Sequence, residues 1–228
     1  MGLSENITAV RQKIAFAADR AGRKAEDVTL VAVSKTVDTE TVEAAYREGL
    51  RCFGENRVQE YLKKSEALPS DIKWNLIGQL QTNKVKYIIN NGVALLHSLD
   101  RLSLAQELQK ECVKKNTSID ALIEVNIAKE ESKSGLYLEQ VDAFLDEIAD
   151  FDRICLKGFM TVAPYTEDRT YLRKIFAQAK TLYDAKKKDF PGFKYLSMGM
   201  SNDYEDAILE GSNMVRVGTA IFGSRIYK

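Results

Sequence analysis

The chain has 228 residues, 45% of them hydrophobic and 29% charged, with 33 basic residues against 33 acidic ones; this is the profile of a soluble globular protein and gives no electrostatic support for nucleic acid or a membrane surface as partner. Cys52, Cys112 and Cys155 are odd in number and form no C-x-x-C pair, which argues against a disulfide framework or a zinc site and for a reducing, cytoplasmic setting. A single histidine, His97, excludes a His-based metal centre and argues against Ser-His or Cys-His nucleophile chemistry.

Charged residues Glu5, Arg11, Lys13 and Asp19 interrupt the N-terminal segment, so it forms neither a signal-peptide core nor a membrane span. Asn6 stands where a myristoylation signal after Met1-Gly2 wants Ser or Thr. Leu3, Ile7, Val10, Ile14 and Ala17 recur at spacings of three and four, which predicts an amphipathic helix over 3–20. Short apolar runs follow at 29–34, 51–54, 74–78, 94–98, 121–126, 156–161, 195–198 and 214–217, each read as a strand. Helix-period segments lie between them at 39–48, 57–64, 102–114, 138–148 and 170–186, with Gly49 and Gly211 as helix stops. The unit at 79–91 is short. Eight strands alternating with helices, with no Pro/Gly-rich linker, predict α/β architecture: a closed (β/α)8 TIM barrel as a single domain over 1–228, the alternative being an open doubly wound sheet.

In such a barrel the C-terminal strand ends open onto one mouth, where active sites lie. The first strand, in "VAVSKT" (31–36), ends on Lys35. A solvated strand end would explain a lysine there, and so would a displayed amine. The segment "SMGMSNDYEDAILEGSNMVRVGTAIFG" (197–223) carries the last two strand-loop-helix units. Ser201 or Asn202 suits an N-cap for a helix over 203–210, and Gly218-Thr219 opens a final helix. Ser201, Gly218 and Thr219 outline a phosphate cup at the loops after strands seven and eight, although Asp203, Glu205 and Asp206 would repel an anion. Without Gly-Lys-Ser/Thr it is no nucleotide P-loop.

Arg216 lies inside the apolar run Met214-Val215-Arg216-Val217, and alternation points it into the barrel. A buried arginine keeps its proton and needs an acceptor. The choice lies between an ion pair with Glu124 or Glu55 and donation to a ring nitrogen of a bound cofactor. A lysine, a phosphate cup and an arginine between them match pyridoxal 5′-phosphate (PLP), whose aldehyde forms a Schiff base with an amine and whose pyridine nitrogen takes an Asp or Arg partner.

"VAVSKT", "FGENRVQE", "WNLIGQLQTNKVK", "HSLD", "VNIAKEESKSG", "GFMTVAP", "LSMGMSNDYEDAI" and "VRVGTAIFG" resemble, in order and across nearly the whole chain, the pyridoxal phosphate homeostasis protein family. That family is similar to the barrel domain of alanine racemase and fold-type III decarboxylases without their second, β-rich domain, and the end of this chain at Lys228 agrees. The resemblance implies Lys35 as the Schiff-base lysine, Arg216 as the pyridine-nitrogen partner, Ser201, Gly218 and Thr219 as phosphate ligands, and Asn56 beside the cofactor. Two positions depart from the pattern: Asn75, where many members have histidine, and Val37-Asp38 after the lysine.

Two functions fit. One is a non-catalytic carrier that holds and buffers PLP and delivers it, with PLP enzymes lacking their cofactor as transient acceptors. The other is a small amino-acid racemase or decarboxylase. An arginine partner weakens the electron sink of the ring, and a racemase needs an acid/base on each face of the substrate α-carbon. Tyr165, Tyr204 and Lys133 are the candidates for the second base, each better explained as surface or loop, so the carrier is favoured. Lys133 is also a candidate to accept the aldehyde in passing during hand-off. Met160, Met198 and Met200 are expected to pack the barrel. A monomer is expected, in the absence of a racemase dimerisation domain.

Overall fold

The computed structural model describes residues 2–223; Met1 and residues 224–228, with the Lys228 terminus noted above, lie outside the described residues. Eight parallel strands close into a barrel in sequence order: β1 (Thr29–Val33), β2 (Cys52–Glu55), β3 (Lys73–Leu76), β4 (Leu95–Leu99), β5 (Ile119–Glu124), β6 (Ile154–Met160), β7 (Tyr195–Ser197) and β8 (Met214–Val217). β8 returns to β1, pairing Thr29 with Met214 and Ala32 with Val217. The fold is thus the expected (β/α)8 TIM barrel.

Helix α1 (Leu3–Arg20) buries its predicted stripe of Ile7, Val10, Ile14 and Ala17 against α8 (Tyr204–Leu209) and α9 (Thr219–Phe222). The other helices follow the strands: α2 (Thr39–Arg47), α3 (Val58–Ala67), α4 (Val85–Asn91), α5 (Leu102–Lys115), α6 (Val141–Glu147) and α7 (Arg169–Lys187). All eight predicted strands exist, with ends displaced by up to two residues where the apolar run and the ladder do not coincide. β6 starts earlier than its apolar run because Ile154 and Cys155 still pair with Ile119 and Asp120. The predicted helix over 138–148 opens with a tight turn at Leu138–Gln140 before α6.

Apolar side chains fill two regions. Phe53, Tyr61, Leu104, Phe159 and Phe176 belong to the core between barrel and helices, while Val31, Leu95, Leu122, Met160 and Met214 cluster inside the barrel. Side chains two residues apart on a strand share a face. Val33, His97, Glu124 and Arg216 therefore stack on the same inward side, one layer nearer the mouth. Three of these four side chains are polar or charged, so the barrel interior turns largely polar at that layer.

Behind β1, on the helix side, lies a buried ion pair. Lys64 Nζ donates to Glu55 Oε1 (2.7 Å) and to the Ser34 carbonyl (2.7 Å), and the Ser34 hydroxyl donates to the same Glu55 oxygen (2.6 Å). The three groups tie the ends of β1 and β2 to α3. Removing one partner leaves an uncompensated buried charge, so Lys64→Met should cost about 3–5 kcal/mol in urea unfolding. Adding Glu55→Gln, which removes the stranded charge, should recover most of that loss.

Candidate functional site

Lys35 sits in the turn just past β1. Val31 faces the barrel axis and Val33 lines the cavity above it, and Lys35 continues the same alternation. Val37 N–H donates to Ser34 O (3.0 Å), closing the turn. Thr36 adopts φ 65°, an uncommon conformation for a β-branched residue, and its N–H donates to Glu60 Oε2 (2.9 Å). The turn is thus gripped through Ser34 and Thr36 from the helix side, and the lysine side chain faces the other way.

A cavity of about 780 Å³ opens at the mouth. Its lining includes all six residues expected from the sequence to hold the cofactor, Lys35, Asn56, Ser201, Arg216, Gly218 and Thr219, together with Lys133. Asn56 is set by a close backbone approach, since a Cβ on Gly78 would come within 2.4 Å of the Asn56 carbonyl oxygen. Only glycine lets the end of β3 pass there.

Ser201 is not a helix cap, contrary to the sequence expectation. Asp203 takes that position before α8, and its carboxylate accepts from Met200 N–H (2.5 Å) within a turn closed by Asp203 N–H to Met200 O (3.0 Å). This turn moves the helix start along and turns Ser201 toward the opposite loop, where its hydroxyl oxygen accepts from the N–H groups of Gly218 (3.1 Å) and Ala220 (3.4 Å). Gly199 makes the sharp exit from β7 possible: its φ is +95°, and a Cβ would meet Ala207 Cβ at 2.7 Å and Tyr204 Cα at 2.8 Å. The acids expected to repel an anion are engaged elsewhere. Glu205 pairs with Lys13, Asp206 with Arg169, and Asp203 with the Met200 amide.

Arg216 is 4% exposed. Its Nη1 donates to Ser197 Oγ (2.7 Å) and its Nη2 to the Thr161 carbonyl (2.9 Å). Neither ion pair weighed from the sequence is a direct contact: Glu55 is held by Lys64 and Ser34, and Glu124, with Asp203, acts on Arg216 through space. Burial pushes the Arg216 pKa down to about 10 while the two carboxylates pull it up. The guanidinium stays charged at neutral pH.

Behind Ser197 lie His97 and Asn75. Ser197 Oγ is 3.3 Å from His97 Nδ1, and His97 Nε2 is 3.0 Å from Asn75 Oδ1. Burial, reinforced by the Arg216 charge, holds the His97 pKa well below its ordinary value. Sequence reasoning overlooked these three residues as part of the site. The available signal was phase, because His97 follows Leu95 by two residues and so shares its inward face.

Two further expectations change. Met160 and Met198 are buried as expected, but Met200 is 39% exposed at the cavity rim. Tyr204 belongs to the core instead of a loop, and burial raises its pKa to about 12. Tyr165 is 91% exposed. Lys133 is half-buried, donating to Glu130 Oε1 (2.8 Å) and the Ala163 carbonyl (2.8 Å).

Glu124, buried at the end of β5, has its pKa raised from 4.5 to about 7 by desolvation and then by Asp100, against Arg216 and Arg101. A carboxyl whose folded pKa lies above its unfolded one contributes stability that is fully present below the unfolded value and is lost as pH rises through the folded one. Glu124→Gln cannot ionise and should escape that loss, matching the parent near pH 4 and exceeding it by about 2–3 kcal/mol near pH 8 in urea unfolding.

Residues 6–226 match the family model described as alanine racemase, N-terminal domain. The chain is 43% identical over 229 residues to a protein of Aquifex aeolicus named pyridoxal phosphate homeostasis protein, covering 100% of both chains. It is 38% identical over 232 residues to the Escherichia coli K12 protein of the same name, covering 99% of this chain and 97% of that one. The structure of PipY from Synechococcus elongatus, solved with PLP bound, superposes with a TM-score of 0.84 at 30% identity, over 97% of this chain and 100% of that one.

Proposed function

Because the chain belongs to the pyridoxal phosphate homeostasis protein family, whose barrel is the alanine racemase N-terminal domain, we propose that it binds PLP at the barrel mouth, buffers it, and delivers it to enzymes that lack it, without turning over a substrate. Convergence of one amine, one buried guanidinium and a hydroxyl-amide cluster on a single cavity carries this conclusion.

The donor set fits the group. When bound, PLP supplies an aldehyde that condenses with primary amines, a phosphate dianion and a pyridine nitrogen. Lys35 presents the amine, directed into the cavity by the gripped turn. Arg216 presents a cation to the cavity that would face the ring nitrogen and keep it unprotonated. The Ser201 hydroxyl, already accepting from two amides, keeps its own proton and would donate it to a phosphate oxygen, and Thr219 and the Gly218 loop would complete the cup. Asn56, on the cavity wall, would border the ring.

Support for a carrier over a racemase comes from the candidate second bases. Tyr165 projects into solvent, Tyr204 is buried in the core with a raised pKa, and Lys133 is tied to Glu130 and a carbonyl. Tyr165 and Lys133 line the same cavity as Lys35, but the first is solvated and the second is engaged by its two acceptors, which argues against either as the second acid/base. The proposed setting is a cytoplasm, consistent with three free cysteines. The proposed state is a monomer in which 1–228 act as one barrel domain. No helix among the described residues is long and apolar enough to cross a membrane.

Lys35→Ala should abolish the borohydride-reducible covalent link and most of the visible absorbance of the loaded protein, with little change in melting temperature, because the side chain leaves the cavity wall and not the core. A full-stoichiometry adduct in that variant would assign the attachment to another lysine. Ser201→Ala and Thr219→Ala each remove a hydroxyl donor to a dianion, a contact of roughly 1.5–3 kcal/mol. Retention of PLP should weaken about tenfold or more, while pyridoxal, lacking the phosphate, should bind variant and parent alike.

Mixed with a PLP-dependent enzyme stripped of its cofactor, the loaded protein should restore that enzyme's activity. Incubated with L-alanine and other amino acids in deuterated water, it should leave the α-proton unexchanged, since a missing second acid/base is worth about 10²–10⁴ in rate. Rapid α-deuteration that disappears in Lys35→Ala would make the protein a racemase.

A further inference from the structure

Four side chains join in one line across the barrel interior beneath the cavity, and the donor at each link is fixed by the link before it. Asn75 Nδ2 donates to the carbonyls of Phe53 (3.3 Å) and Lys73 (3.0 Å), which leaves Oδ1 as the acceptor. His97 must then donate to it from Nε2 (3.0 Å). In the neutral ring Nδ1 carries a lone pair, which accepts from the Ser197 hydroxyl at 3.3 Å. The Ser197 oxygen accepts in turn from Arg216 Nη1 (2.7 Å). The line begins on the guanidinium and ends on backbone carbonyls on the far side of the barrel.

Packing alone does not call for these residues. Two residues below His97 and Arg216 on their strands stand Leu95 and Met214, in an apolar cluster with Val31, Leu122 and Met160, and apolar residues fill a core at no polar desolvation cost. Nor does the line neutralise Arg216, whose carboxylates Glu124 and Asp203 act through space. What the line supplies is direction: with Nη1 committed to Ser197 and Nη2 to the Thr161 carbonyl, the plane of the guanidinium is fixed. A protonated imidazole would carry N–H on both nitrogens and could not accept from Ser197.

Resting on the reading of Arg216 as the ring-nitrogen partner, we propose that Ser197, His97 and Asn75 are positioning residues that act through Arg216 to aim its guanidinium at the nitrogen of bound PLP. Their contribution therefore depends on that one ligand atom.

The test compares two ligands on the full-length protein freed of cofactor: PLP, and its 1-deaza analogue with C–H in place of the ring nitrogen. The parent should bind PLP about tenfold or more tightly than the analogue, a charge-assisted hydrogen bond being the difference. Ser197→Ala, a small change in volume, and His97→Phe, which fills the space without an acceptor, should each lower that ratio about fivefold or more. His97→Asn, whose Oδ1 falls near the imidazole Nδ1 position, should restore it.

A ratio unchanged in Ser197→Ala, or an equal loss for both ligands, overturns the inference and leaves the line as a structural feature; should His97→Phe fail to fold, Ser197→Ala decides alone. The Arg216 reading fails separately. A parent that binds neither ligand, or binds both equally, overturns that reading and the inference with it.

Discussion

A guanidinium inside a barrel cannot shed its charge, and the interior here is arranged around that constraint. Below Arg216 the barrel is filled with aliphatic and thioether side chains; at its level the layer turns polar, with Ser197, His97 and Asn75 accepting and passing on its hydrogen bonds. Burial keeps His97 neutral, which is the state that allows it to accept on one nitrogen and donate on the other. Above the layer the cavity begins. The charge that would be most costly to bury thus marks the boundary between packing and function.

The two principal groups of the site are held by separate devices on opposite faces of the barrel wall. Lys35 is steered from outside, through the Ser34 carbonyl and hydroxyl, Glu55, Lys64 and the Glu60 contact to Thr36. Arg216 is steered from inside, through the line that ends at Asn75. No residue belongs to both sets. Contacts this separate are expected to contribute nearly additively, so the position of the amine and the orientation of the guanidinium can change independently.

Lys35 and Arg216 were legible in the sequence because a charge at the end of or inside an apolar run conflicts with local burial, and the conflict calls for a partner. His97 sits in an equivalent run, "LLHSL", yet a neutral imidazole is compatible with a core and raises no such conflict. Asn75 and Ser197 are short polar residues that strands tolerate. Their alignment exists only after the barrel closes, since β3, β4, β7 and β8 bring together residues remote in the chain. The strand order was readable from periodicity. The cap of α8 was not, because Ser201, Asn202 and Asp203 all satisfy the local rules and only the Met200 turn selects among them. Asn56 was legible only as a polar residue at the end of the second strand, and its place beside the cofactor was reached through family resemblance.

The pairing of β8 with β1 bears on how the protein comes into being. Lys35 follows the first strand, while Arg216 lies on the last and Gly218 and Thr219 follow it, so the amine and the proposed phosphate cup meet only at the seam where the ring is sealed. Contacts this distant in sequence form late in folding. A nascent chain still waiting for its last strand has the lysine but not the loop proposed to seat the phosphate. On the proposed function, PLP would favour the sealed ring over every partly wound form, by mass action, and vitamin supply would become a force on the folding equilibrium of its proposed carrier.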